Sequence, residues 1–134
     1  MKLSKNFYWH ELVPRGIRKQ DVLNVIDSRV LGVLEALRTR YGPITVNNWH
    51  WAGDREWSGF RTSDSPFYSP FSQHSFGRAA DCILMDCDVT EVIDDIMSGD
   101  FYHRHLSALE LGVPWLHFDV RARQDTSQII TFVG

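Results

Sequence analysis

Basic tracts, a cysteine framework and long apolar runs are all missing from this 134-residue chain. Lys and Arg number 14 against 17 Asp and Glu, giving a formal net charge of -3 with no cationic cluster. Phosphate-contact binding therefore has no footing, and no nucleic-acid partner is expected. The only cysteines are Cys82 and Cys87. Two are too few to staple a small secreted fold, and they read as free thiols of a reducing compartment. No apolar stretch reaches the length of a membrane span, and no hydrophobic leader follows Met1-Lys2. The expectation is a chain made in the cytoplasm and carried by something else to any target outside the membrane. Repeats and low-complexity segments are also absent.

What is present is core-forming material. Hydrophobic residues make up 43% of the chain, enough for one domain spanning 1–134 and too much for disorder. Residues 1–19 read as an irregular arm anchored by Phe7, Tyr8, Trp9 and Leu12. Val22, Val25, Ile26, Val30, Val33, Leu34 and Leu37 recur at helical spacing, predicting one helix from Asp21 to about Arg40. Asp21 is its expected N-cap and Gly42-Pro43 its stop. Asp27, Arg29, Glu35 and Arg38 read as its solvated face. A core strand is expected over 43–47, a loop over 62–71 and a strand over 79–85. A helix follows from Asp88, with Glu91 completing a capping box, to Gly99. Residues 101–110 suggest a short second helix, 115–122 a strand, and 128–133 a last strand hairpinned with it. The fold class expected is α+β, a small antiparallel sheet flanked by helices.

Chemistry concentrates in two stretches. Ser72-Gln73-His74-Ser75-Phe76-Gly77-Arg78-Ala79-Ala80-Asp81 carries an imidazole and a carboxylate with a glycine between them. Trp115-Leu116-His117-Phe118-Asp119-Val120-Arg121 alternates, so Trp115, His117, Asp119 and Arg121 share one strand face and three apolar residues the other. His74, Asp81 and His117 are the expected metal ligands. Two imidazoles and one carboxylate fill three corners of a tetrahedral Zn²⁺ site and leave the fourth for water. Asp119 is placed to orient an imidazole from behind. The competing structural reading, a His–Asp pair and an unrelated histidine, is weakened by the two motifs occurring together. Trp49, Trp51 and Trp57 could line a pocket, but for any one of them loop packing is the safer reading. His10, His50, His103 and His105 have no partner carboxylate at a telling spacing, although His50 sits within the aromatic loop.

Ser72-x-His74-x-x-Gly77-x-Ala79-x-Asp81 followed by His117-x-Asp119 resembles the zinc D-alanyl-D-alanine carboxypeptidases and their relatives. Those relatives include vancomycin-resistance dipeptidases, phage peptidoglycan endopeptidases and the Hedgehog signalling domain. Phe7-Tyr8-Trp9-His10-Glu11 is similar to the family's aromatic-plus-Glu opening, and Ser58-Gly59-Phe60-Arg61 to its Ser-Gly-Tyr-Arg segment. The resemblance implies a Hedgehog-like fold, one zinc, and hydrolysis of D-amino-acid peptide bonds in bacterial peptidoglycan stems. It implies that Arg61 steadies a substrate carbonyl or carboxylate and that Ser72 contacts substrate, with Trp49 and Trp115 walling the cleft. The phage-encoded members, acting from the host cytoplasm or the virion, are the most similar. One position departs from the pattern. Several branches carry an acidic general base three residues before the second histidine, and here that residue is Pro114. Asp119, about 7 Å along the same strand face from His117, and Glu110 are the candidates left, with Asp119 favoured on spacing. The rival expectation is a catalytically weak or inactive peptidase-like module serving as a structural or binding component of a phage particle, with phage virion proteins as partners.

Overall fold

A computed structural model describes residues 1–134. Three helices and a five-stranded mixed sheet make an α+β domain. The expected long helix is broken in two, α1 at Val22–Val25 and α2 at Ser28–Tyr41. Ile26 and Asp27 turn extended between them, and Asp27, not Asp21, caps α2 by accepting from Arg29 N at 3.0 Å. The break has a tertiary cause. Asp27 N, freed from any helical partner, donates to the Gly77 carbonyl at 2.9 Å and ties the helix junction to the loop that carries His74. Glu35 is likewise no solvated charge, because its carboxylate accepts from Ser4 Oγ, Asn6 N and Asn6 Nδ2 and pins the N-terminal arm.

The strands are β1 (Ile44–Thr45), β2 (Ala79–Leu84), β3 (Ala108–Leu111), β4 (Leu116–Asp119) and β5 (Ile130–Val133), ordered β1-β2-β4-β3-β5. The expected core strand at 43–47 is a two-residue edge strand on β2. The predicted helix over 101–110 does not form. A short apolar run such as Leu106–Leu111 fits either state by pattern, and here β4 supplies the partner that decides it. Gly112, at φ 83°, turns β3 into β4. Nor does the last strand hairpin with β4, whose two edges are already taken by β2 and β3. It joins the outer edge of β3 in parallel instead, so the sheet is mixed rather than antiparallel. The helix α3, Val89–Ser98, stops at Gly99 as expected, but Asp88 makes no side-chain cap.

Register gives the sheet two chemically distinct faces. Ala80, Cys82, Leu109, Leu116 and Phe118 lie fully buried in one core with Val30, Val33, Leu34 and Leu37 of α2. On the opposite face, cross-strand partners fall in one transverse row: Asp81 faces His117, His117 faces Glu110, and Glu110 faces Phe132. Directly opposed residues project to the same side of a sheet, so four strands deliver their side chains to one line. The adjoining row is Ala79, Asp119, Ala108 and Ile130. Its two alanines leave room beside Asp119. No helix is long and apolar enough to cross a membrane.

Candidate metal centre

His74 enters the site on a 3-10 turn, Gln73–Phe76. Ser72 Oγ caps that turn by accepting from His74 N, and Gly77 ends it at φ 68°. A Cβ at Gly77 would run into the Val25 carbonyl oxygen. Gly77→Ala is therefore expected to destabilise the fold by roughly 3 kcal/mol or more, combining left-handed strain with overpacking. Gly99→Ala, at φ 83° with open space around it, carries the backbone penalty alone, about 1–2 kcal/mol. Urea unfolding of the two variants checks the difference.

The segment Ser58–Arg61 wraps both first ligands. Ser58 O accepts from Asp81 N at 2.8 Å, and Arg61 N donates to His74 O at 3.1 Å. Gly59 O lies 2.8 Å from His74 Nδ1. A carbonyl can only accept, so Nδ1 donates to it, and Nε2 is the ring nitrogen turned toward Asp81 Oδ1, 3.2 Å away. On the other side, His117 Nε2 lies 3.3 Å from Asp119 Oδ2, and His117 Nδ1 lies 2.8 Å from Asp81 Oδ1. His74, Asp81 and His117 are all buried, and their three ligand atoms lie within 4.8 Å of one another. Two imidazole nitrogens and a carboxylate oxygen thus converge, with the outward N–H groups fixed by a carbonyl and a carboxylate. That donor set fits a divalent cation, and the outer hydrogen bonds are those that orient ligating histidines.

The expected ligands are brought together, and the candidates for general base are separated. Asp119 is fully buried. Its oxygens accept from Arg121 Nε and Nη2 at 2.8 and 2.6 Å and from His117 Nε2. Burial would raise its carboxyl, but the Arg121 and His117 hydrogen bonds outweigh this and hold it below the ordinary range. A carboxylate so committed stands behind His117, suited to the orienting role, and is not among the residues that line the cleft. Glu110 lines the cleft, in register with His117.

The cleft measures about 620 Å³. Arg61, Ser72 and Trp115 line it as expected. Trp49 does not, because its Nε1 donates to Val13 O and its ring packs among Trp9, His10 and His50. His50 stacks on His10 at 4.0 Å and also stays out. Arg61 donates from Nε to Trp57 O and from Nη2 to Asp81 Oδ2, leaving Nη1 without a protein partner. Burial lowers its pKa, and Asp81 and Glu110 counter this. Trp57, Phe67, Phe71, Gln73, Arg121 and Phe132 also line the cleft. Of these, Arg121 was legible from strand alternation and Trp57 as one of the tryptophans over 49–57 expected at the cleft, while Phe132 arrives through the parallel pairing of β5.

Asp81 is buried, which would raise its carboxyl, yet the hydrogen bonds from His117 and His74 leave it strongly lowered. In the metal-free protein His117 lies between two carboxylates. Burial disfavours its proton, but hydrogen bonds to Asp119 and Asp81 prevail and raise its pKa to about 9. The folded value lies above the ordinary 6.5, so this stabilisation is whole below pH 6.5 and is lost as pH rises through about 9. Metal-free protein is expected to lose thermal stability across that window. A metal on Nδ1 removes the dependence, because the proton has already left. Melting curves at the two ends, with chelator and with zinc, check it, and equal pH slopes would exclude Nδ1 as a ligand.

Compared with known proteins, the chain matches no family model, no curated protein and no solved structure. The likeness to the zinc peptidases is carried by the motifs alone.

Proposed function

We propose that the protein is a zinc peptidase that hydrolyses peptide bonds in the stems of bacterial peptidoglycan. The observation that carries this reading is the convergence of His74 Nε2, Asp81 Oδ1 and His117 Nδ1 in a 620 Å³ cleft that Glu110 and Arg61 also line. Two imidazoles with one carboxylate suit zinc better than the oxygen-seeking cations. The motif resemblance supplies the substrate class.

Zinc held there supplies Lewis acidity toward water and toward an amide carbonyl. The chain's own groups do the rest. Glu110 takes one proton from the attacking water, whose oxygen bonds to the carbonyl carbon, and returns it to the leaving nitrogen as the C–N bond breaks. Arg61 holds Asp81 Oδ2, keeping Oδ1 turned to the imidazoles, and its remaining donor, Nη1, polarises the substrate carbonyl. Asp119 keeps His117 in the tautomer whose Nδ1 faces inward. Trp57, Trp115 and Phe132 exclude bulk water from the floor.

The test combines metal analysis with cleavage. Purified protein should carry about one zinc and release new amino groups from purified peptidoglycan, with chelation stopping release and zinc restoring it. Zinc retained without any amine released would turn the reading to a binding module of the same fold. Protein that takes up no zinc would end it.

A further inference from the structure

The tripeptide Ser-Pro-Phe stands at 65–67 and again at 69–71, in the loop that leads into the 3-10 turn of His74. Each builds a β-turn. Ser65 O accepts from Tyr68 N at 3.2 Å, and Ser69 O accepts from Ser72 N at 3.1 Å. Serine at the first position and proline at the second suit such a turn, and proline fixes the backbone there. The third position is phenylalanine in both. Phe67 is 65% exposed and Phe71 84%, yet both line the cleft that holds His74, Asp81 and His117.

This exposure is built into the loop. Ser65 is buried and anchors the first turn, its Oγ accepting from Phe67 N at 3.1 Å. Ser69 O also accepts from Ser75 Oγ, and the second turn hands the chain directly to Ser72, the cap of the His74 turn. Arg61, whose Nη2 holds Asp81 Oδ2, places its guanidinium 5.7 Å from the centroid of the Phe67 ring. Both rings are thus tied to the segments that carry the metal ligands, and most of each is left uncovered by protein.

An uncovered aromatic pair at the wall of a cleft marks a contact surface. Its chemistry is restrictive. Residues 65–71 carry no charge, whereas docking on an anionic lipid surface calls for cations beside the apolar groups. Uncharged ring faces suit a neutral ligand with flat C–H faces of its own, and a pyranose ring is such a ligand. Tyr68 and Ser69, between the two phenylalanines, are exposed as well and add hydroxyls for sugar hydroxyls to meet. Position agrees with chemistry. A stem lying in the cleft is joined at one end to a glycan strand, and a few residues at roughly 3.4 Å each bring sugar rings to the cleft wall.

Resting on the peptidase reading above, we propose that Phe67 and Phe71 form a platform for the glycan strand. Its neutral N-acetylated sugars stack there while the stem they carry lies over the metal centre. The platform selects stems still joined to glycan over free stem peptide.

Calorimetry with a peptide-free glycan oligomer, and cleavage kinetics on one stem peptide with and without its disaccharide, test this. Wild type should bind the oligomer and show a lower KM for the glycan-linked stem than for the free one. Phe67→Ala and Phe71→Ala should each raise the oligomer's Kd by roughly 3- to 10-fold, the order expected of one covered ring face, and draw the two KM values together. Phe71→Trp keeps a ring face and should bind at least as tightly as wild type. Phe71→Leu keeps only apolar bulk and should bind as Phe71→Ala does. Melting temperature and zinc content should match wild type in every variant, which a merely structural role for the rings would not allow. No oligomer binding by wild type, or binding undiminished in Phe71→Leu, would overturn the platform and leave the peptidase reading standing. So would sedimentation of wild type with phosphatidylcholine–phosphatidylglycerol vesicles that is lost in the alanine variants, which would make the loop a membrane contact. Oligomer binding that depends on both rings, in a wild type that cleaves no stem, would keep the glycan site and end the peptidase reading.

Discussion

His74→Ala should reduce bound zinc from about one per chain to none and bring cleavage of peptidoglycan below detection, with the domain still folded. The expectation follows from how the three ligands are held. Asp81 Oδ1 faces both imidazoles, at 3.2 Å and 2.8 Å, so loss of His74 removes one of only three convergent donors. Two remaining donors would not complete a tetrahedral zinc site. The structural damage is local. The main-chain bonds that close the turn, Gly77 N and Arg61 N to His74 O, do not involve the ring and survive the substitution. What is lost in stability is the Nδ1 hydrogen bond to Gly59 O and the packing of one buried ring, about 1–3 kcal/mol. Metal analysis, circular dichroism and amine release on the same preparation separate these effects. A His74→Ala protein that kept its zinc would remove the metal centre from His74, and with it the proposal.

The inward face of His117 was legible because strand alternation is a strong local signal. Leu116, Phe118 and Val120 are buried in the core, and His117 with Asp119 point the other way, as the period of two requires. The role of Asp119 was half legible. Its face was right, but Arg121, two residues on and on that same face, occupies it with a bidentate pair, and spacing does not report such commitment. Glu110 and Phe132 lie in the row of His117 only because β3 pairs with β4 and β5 with β3. Those pairings depend on which edges remain free, a property of the assembled sheet. The same holds for the broken helix, since the apolar period runs through Ile26 while Gly77, fifty residues away, takes the backbone bond that interrupts it. Trp49 and Trp57 look alike in the sequence. A hydrogen bond to Val13 O draws one out of the cleft, and the other lines it.

Glu110→Gln should lower kcat by about 10²- to 10⁴-fold and leave zinc content and fold unchanged. The position three before His117, where the resembled family carries its acid, is Pro114, which has no group to take a proton. The sheet offers a different carboxylate. Glu110 stands directly across from His117 on β3, and opposed residues put their Cβ atoms about 5 Å apart on a common face. Asp119 is excluded by burial and by its pairing with Arg121. Of the other carboxylates in the cleft, Asp54 and Glu56 come from the 54–57 segment, outside the row, and Glu56 already accepts from Arg15 N. Glutamine matches glutamate in shape and keeps the apolar contact with Phe132 across the strand pair, so the substitution removes proton transfer and one negative charge near Arg61 and little else. KM should therefore move far less than kcat, the signature of an interaction made in the transition state. Steady-state kinetics on a synthetic stem peptide measures the split. Wild-type turnover in the glutamine variant would free Glu110 of the proton and pass the role to the 54–57 segment, whose own carboxylates would then stand nearer the reacting water than the sheet row does.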